Sequence, residues 1–197
     1  MACSPNTSKT DGGRNGESRD ILGPLLFLLY KFICSDVTDI FDDSGVGKLY
    51  EDDIKLYSVL DNPLDYSDLQ NNLNDLQQWS DRWQLNISDK KCSVLYLGKQ
   101  RIMPQVNLVL CSNTVPQVNS ARNLGVIVDS HLKFDMHINH IVTRAHRLAS
   151  LIHKYFISRD PSTLMRAFVT YVRPLLEYAS CVWSPHSVAQ VKKIESV

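Results

Sequence analysis

The chain has 197 residues, 44% of them hydrophobic and 21% charged. That balance excludes a disordered polyelectrolyte and suits a soluble globular protein with room for a core of one domain, or one and a fraction. The net charge of zero hides an asymmetry: Asp36 to Asp75 holds eleven acidic side chains and two lysines, whereas His131 to Leu175 holds seven Lys/Arg against two Asp, with five histidines besides. An acidic part followed by a basic part suits metal binding followed by a nucleic-acid contact, and equally two solvated surfaces of opposite sign.

Cysteine usage and the start of the chain bear on compartment. Cys3, Cys34, Cys92, Cys111 and Cys181 are far apart, odd in number and form no Cys-x-x-Cys pair. This argues against a disulfide framework or a zinc site and for a reducing compartment. The start shows no basic and apolar signal regions, and the longest apolar run, Leu25 to Tyr30, is too short to cross a bilayer. The expectation is an intracellular protein, cytoplasmic or nuclear, that makes no use of a membrane.

In chain order, residues 1–20 are rich in Ser, Asn, Gly and charge, lack periodicity and read as disordered. Ile21 to Tyr30 is apolar on all sides, with Pro24 suited to a first helical turn, and reads as a buried helix. Val46 to Tyr57 places two β-prone runs around a tight polar centre, a hairpin with Asp52 and Asp53 at its tip. Adjacent carboxylates there can hold a divalent cation, because hard oxygen ligands suit Mg²⁺; an acidic surface turn is the plainer reading. Ser67 and Gln70 form a capping-box pattern, and Leu69, Leu73, Leu76, Trp79 and Trp83 then recur at helical spacing, the two tryptophans as core anchors.

Leu85 to Ile87 leads through Asp89-Lys90-Lys91 into an alternating strand, Cys92 to Leu97, stopped by Gly98. Taken alone, Lys91 is a solvated lysine at a strand start. Val106 to Leu110 and Asn123 to Asp129 read as strands, with Ser112-Asn113-Thr114 as turn chemistry between them. From Asp135, read as a cap, Ile138, Ile141, Val142, Ala145, Leu148, Ala149 and Ile152 form one apolar helix face. His137, His140, Arg144, Arg147 and Lys154 fall largely off that face. His137 and His140 could share a metal by spacing, but no third ligand is suitably placed, which argues against zinc. Asp160-Pro161 begins another helix, interrupted at Pro174.

The stretch Lys48 to Tyr57, with Tyr50-Glu51-Asp52-Asp53 as an aromatic-x-Asp-Asp turn, resembles the catalytic hairpin of reverse transcriptases in the form found in non-LTR (LINE-type, jockey-like) retrotransposon polymerases. Further blocks follow in that family's order: Leu22 to Tyr30, Trp83 to Gly98, Leu124-Gly125-Val126, Thr170 to Ser180 and Val182 to His186. The resemblance implies an α+β fold: a partial polymerase palm over residues 21–130, an antiparallel sheet with packed helices, then a helical thumb-like region over residues 131–197. It implies RNA-directed DNA synthesis with an RNA template, a DNA primer, deoxynucleotides and Mg²⁺. Asp52 would hold the metal ions with Asp53 in support, and Lys91 would help protonate the pyrophosphate leaving group. Tyr50 would lie at the nucleic acid, Leu124 and Gly125 would form the primer grip, and Arg144, Arg147 and Lys154 would hold the template–primer duplex.

Departures from the pattern temper the expected activity. Glu17, Ser18, Arg19 and Asp20 stand where the family has a Pro-Gln-Gly-Ser-like lead-in, so Arg19 replaces the glycine. Glu51 stands at a position that is usually small. Two-metal phosphoryl transfer needs carboxylates from more than one backbone segment. Asp20 and Asp36 are the nearest upstream candidates, and neither follows a strand-like run. The reading is therefore a truncated reverse-transcriptase-like chain, not catalytically competent by itself. The alternative is a non-catalytic remnant that binds nucleic acid or protein through its basic C-terminal helices.

Overall fold

The computed structural model of the chain describes residues 2–3, 36–37, 40–41, 46–51, 53–98 and 107–197. The expected helix Ile21–Tyr30, the lead-in Glu17–Asp20, Asp52 and the start of the strand at Val106 lie outside those residues, as does most of the segment 1–20. The chain divides into two compact units, Met1–Val94 with Arg101–Val118, and Leu95–Gln100 with Asn119–Val197. Among the described residues the strands form one three-stranded and three two-stranded sheets rather than one continuous sheet.

In the first unit, β1 (Ala2–Cys3) pairs antiparallel with β3 (Asp53–Tyr57), which pairs in turn with β2 (Val46–Tyr50). Ala2 and Cys3 thus depart from the disorder expected of residues 1–20. The hairpin itself matches the sequence reading, with Val46 opposite Tyr57 and Tyr50 opposite Asp53, leaving a two-residue loop. Glu51, the first loop residue, adopts φ 52°, as the right-handed twist of such tight hairpins demands.

Helix α1 (Pro63–Trp83) begins four residues before the expected cap. Pro63 occupies the first turn, where its missing N–H costs nothing, and the Asp65 carboxylate accepts from the N–H groups of Asp61 at 2.6 Å and Asn62 at 2.7 Å. Leu69, Leu73, Leu76 and Trp79 are buried, as their spacing predicts. Trp79 packs with Val37, Ile54 and Leu76, and its indole N–H donates to Asp36 Oδ1 at 3.0 Å. Trp83 corrects the sequence reading. It is 41% exposed, because the chain reverses at left-handed Gln84 and Leu85 and Ile87 cover the core instead.

After the 3₁₀ turn Asp89–Lys91, the strands are shorter than expected: β4 (Val94–Leu95), β5 (Val109–Leu110), β6 (Asn113–Thr114) and β7 (Gln117–Val118). The β5–β6 turn is Cys111-Ser112, both with positive φ, so Asn113 and Thr114 are strand and not turn. Cys92 takes part in a disulfide, which the wide cysteine spacing argued against, while Cys111 and Cys181 are free.

The longer segment of the second unit opens on the hairpin β8 (Ser120–Asn123) and β9 (Val126–Asp129). The single strand expected over Asn123–Asp129 is broken because Leu124 and Gly125 both adopt positive φ, 45° and 87°. Helix α2 (Asp135–Tyr155) comes next, buried through Ile138, Ile141, Ala145 and Ile152. Its N-cap is left-handed Phe134, not Asp135. Asp129 ties the loop ahead of the helix: its carboxylate accepts from the N–H groups of His131 at 2.9 Å, Lys133 at 3.1 Å and Phe134 at 2.8 Å.

Asp160 caps α3 (Pro161–Ala167) as expected, accepting from the Thr163 N–H at 3.0 Å. Pro174 does not end the helix. A π segment, Phe168–Val172, widens the turn, the Arg173 N–H reaches back to the Phe168 carbonyl, and α4 (Arg173–Glu177) continues. Short α5 (Ser180–Trp183) and α6 (Val188–Glu195) complete the chain. No helix of the described residues is long and apolar enough to cross a membrane.

Partial burial alone would raise the pKa of Asp129, yet its three backbone donors outweigh that and hold it below the usual 3.8. Its contribution is therefore complete above about pH 3.8 and lost as pH falls toward its folded pKa. Asp129→Ala should lower the unfolding free energy by roughly 1–3 kcal/mol at neutral pH, since three N–H groups lose their acceptor. Chemical denaturation of the two chains at pH 7 measures it.

Candidate functional site

Two places in the fold collect the residues singled out by sequence, one in each unit. In the first, the β2–β3 loop presents Glu51, and the closing pair Tyr50–Asp53 flanks it. Tyr50 is 57% exposed, and Asp53 is partly buried at the first position of β3. A two-residue loop holds its flanking side chains close together because the backbone has no slack. The tip therefore carries hard oxygen donors of the kind a magnesium ion takes, with Asp52 outside the described residues. Lys91 closes the 3₁₀ turn and is exposed.

Asp36 is one of the two upstream candidates for a further metal-binding carboxylate. Its Oδ1 is the acceptor for the Trp79 indole, which ties it to the core of its unit. Among the described residues, no group of three or more His, Cys, Asp or Glu side chains is arranged to hold a metal.

The second place is a cleft of about 300 Å³ within the helical unit. The β8–β9 hairpin contributes Arg122 and Gly125, α2 contributes His137, His140, Ile141 and Arg144, and the α4 region contributes Pro174, Leu175 and Tyr178. The fold thus brings Gly125 and Arg144, separate in sequence, to one cavity, while Leu124 does not line it and is bonded through its carbonyl to Tyr178, which does. Arg147 and Lys154 are exposed on α2 and do not line it. Lys154 Nζ instead sits 5.3 Å from the ring centroid of Tyr155.

Two lining residues escape the sequence reading, and a third is placed differently by it. Arg122 sits on a strand too short to show its face by alternation. Tyr178 lies in a segment to which the sequence assigns no chemistry; its hydroxyl donates to the Leu124 carbonyl at 2.9 Å and pins the tight turn from outside. His137, which the helical pattern sets off the apolar face, is only 2% exposed. Its ring meets Trp183 edge-on, centroids 5.2 Å apart, and its Nδ1 accepts from the Ile127 N–H at 3.3 Å. The bond to Nδ1 fixes the tautomer, so the proton of the neutral ring is on Nε2. The helical period alone could have flagged His137, since Ile141 and Ala145 follow it at intervals of four.

Trp183 explains why the cleft is firm. It is 2% exposed, packs with Val126, Phe134, Ile138 and Ile141, and donates its indole N–H to the Tyr178 carbonyl at 2.7 Å. Gln190, also buried, donates to the Lys133 carbonyl at 3.1 Å and Asp135 Oδ1 at 2.8 Å, tying α6 to the start of α2.

Comparison with known proteins finds a curated relative. The chain is 26% identical over 182 residues to the probable RNA-directed DNA polymerase from transposon X-element of Drosophila melanogaster, a match that covers 90% of this chain. The chain spans about 20% of the length of that relative. No family profile and no solved structure matches the chain. The likeness to retrotransposon polymerases read from the hairpin and the blocks around it is borne out by this relative.

Two outcomes test the cleft. Gly125→Ala puts a side chain at φ 87°, with its Cβ 3.3 Å from the Tyr178 ring, and should destabilise the chain by roughly 1–2 kcal/mol from the left-handed backbone alone; thermal unfolding beside the parent measures it. Burial, then the charges of His140 and Arg122, push the His137 pKa below its ordinary 6.5. Between that lowered value and 6.5 the unfolded chain binds more protons than the folded one, so stability should fall as pH drops below about 6.5. His137→Phe should flatten this part of the profile in denaturation series from pH 7.5 to about 5.5.

Proposed function

We propose that this chain is part of a reverse-transcriptase-like polymerase of a non-LTR retrotransposon, with a palm-like first unit carrying the acidic hairpin and a thumb-like second unit carrying a cationic cleft for nucleic acid. The partners are an RNA template, a DNA primer and deoxynucleotides. The observation that carries this reading is the two-residue hairpin between Tyr50 and Asp53, the backbone form that an aromatic-x-Asp-Asp motif needs to put adjacent carboxylates at one tip. The relative supports it, being named as an RNA-directed DNA polymerase.

Asp52 and Asp53 would hold Mg²⁺ through carboxylate oxygens, with Asp53 fixed by its place at the start of β3. Bound there, the ions would supply charge neutralisation at the phosphoryl group. Tyr50, exposed beside the tip, would face the nucleic acid. Lys91, exposed on its 3₁₀ turn, is the candidate proton donor to the leaving group. In the second unit, Leu124, Gly125 and Arg144 would meet the primer strand at the cleft, with Arg147 and Lys154 extending the basic face of α2.

The same reading has the chain by itself not completing this chemistry. A pair of metal ions takes carboxylates from more than one backbone segment, and Asp36, the nearer upstream candidate, is engaged with Trp79.

The experiment joins two measurements on the purified chain. Labelled deoxynucleotide should not be incorporated on a primed RNA template with Mg²⁺ or Mn²⁺; incorporation abolished by Asp52→Asn would overturn the claim of incompetence. Fluorescence anisotropy should detect an RNA–DNA duplex bound at about 10⁻⁴–10⁻⁶ M, with log K falling against log salt at a slope near −3 for about three to four phosphates. Arg144→Ala/Arg147→Ala should weaken binding and flatten that slope. A chain that binds no duplex at low salt would remove the nucleic-acid contact from the reading.

A further inference from the structure

His137, one of the residues that line the cationic cleft, carries a buried side-chain atom that the fold leaves unanswered. Among the described residues, His137 Nε2 is the buried side-chain polar atom without a hydrogen-bond partner. Nδ1 already accepts from the Ile127 N–H, so Nε2 carries the proton of the neutral ring and is a donor. A buried donor without an acceptor is costly, and native structures rarely keep one except where another group completes it.

The surroundings narrow the kind of group. Arg122, His140 and Arg144 line the same cleft as His137, and no carboxylate does. Two permanent cations and two imidazoles around one cavity select an anion. Guanidinium groups present planar, forked donors that match phosphate oxygens, and a neutral imidazole N–H adds a directed bond without adding charge. The lowered pKa of His137, caused first by burial and then by His140 and Arg122, keeps that ring neutral near pH 7.

We propose that this cleft is a phosphate-binding site, in which the Arg122 and Arg144 guanidiniums neutralise the charge and a small shift of the His137 ring, whose Nε2 is closed to solvent in this structure, lets Nε2–H donate to a phosphate oxygen. The cleft, about 300 Å³, stands at the small end of ligand sites and admits a phosphate with part of the group that bears it. Tyr178, with its hydroxyl fixed on the Leu124 carbonyl, offers a ring face beside the phosphate on which a base can stack. The proposal deepens the nucleic-acid reading and rests on it only for the source of the phosphate. That source is a terminal phosphate, a backbone phosphodiester or free phosphate, all recognised by the same donors.

The test uses the full chain with ¹⁵N-labelled histidine. Inorganic phosphate is titrated while the His137 imidazole nitrogens are followed by NMR. A saturable shift at Nε2 is expected, and Arg122→Gln/Arg144→Gln, both at exposed positions, should weaken it by about tenfold or more. His137→Phe keeps a ring against Trp183 and should lower phosphate affinity by a similar factor in calorimetry. Oligodeoxynucleotides with and without a 5′-phosphate then compete. Displacement by the phosphorylated one alone supports a terminal phosphate, displacement by both supports the phosphodiester, and displacement by neither supports free phosphate. No saturable shift in the parent chain, or an unchanged shift in the double arginine variant, overturns the site. Loss of duplex binding with the phosphate shift intact would instead count against the nucleic-acid reading.

Discussion

The second unit depends on how Trp183 is held. Its indole fills the space between the β8–β9 hairpin and the first turns of α2, touching Val126, Phe134, Ile138 and Ile141. The ring nitrogen is satisfied by the Tyr178 carbonyl, so full burial carries no orphaned donor. That bond brings the chain around left-handed Ala179 and sets Tyr178 beside the Leu124–Gly125 turn. A tight turn with two left-handed residues, one of them leucine, is strained by itself. It persists because a hydroxyl outside the turn and an indole beneath it fix both sides. The cleft is thus a by-product of packing: its basic residues face one another because a large aromatic side chain locks hairpin, helix and connecting segment together.

The first unit solves a different problem by different means. Strands of two residues offer too little ladder to fix their own register. Here the side chains of α1 supply the missing partners. Gln70 donates to the Val109 carbonyl at 2.8 Å and accepts from the Val109 N–H at 2.9 Å, so one side-chain amide behaves as a neighbouring strand. Gln77, two turns further along, accepts from the Cys111 N–H at 3.1 Å. A polar stripe on an amphipathic helix therefore organises a hairpin, while the apolar stripe beside it builds the core.

Periodicity and turn chemistry make much of this legible before any coordinates. The acidic hairpin, the buried faces of α1 and α2 and the Asp160-Pro161 start all derive from short-range rules. The misreadings share a physical origin, namely long-range partners. Asn62 and Asp65 cap α1 ahead of the capping-box pattern at Ser67 and Gln70, and Gln70 is left to serve β5 instead. Asp129 ties the loop ahead of α2 through N–H groups up to five residues on, a reach that no cap signature describes. His137 reads as part of a polar face because histidine usually is, yet Trp183 and the Ile127 amide give it an interior place. The pairing of Arg122 with Arg144 across one cavity has no local signal, since it arises from how a hairpin docks on a helix.

The π segment at Phe168–Val172 carries a consequence for sequence variation. A single wide turn is equivalent to one residue inserted into an otherwise regular helix, and each residue rotates the helix beyond it by about 100°. The insertion sets the angular phase of Leu175 and Tyr178 alike. Restoring a regular helix by removing one residue would do more than return Pro174 to an ordinary helix interior. It would turn the tyrosine away from Leu124 and open one wall of the cleft, with no residue of that wall altered. Relatives that keep the cleft are constrained to keep the count of residues between Asp160 and Tyr178, even where the identities in between are free to drift.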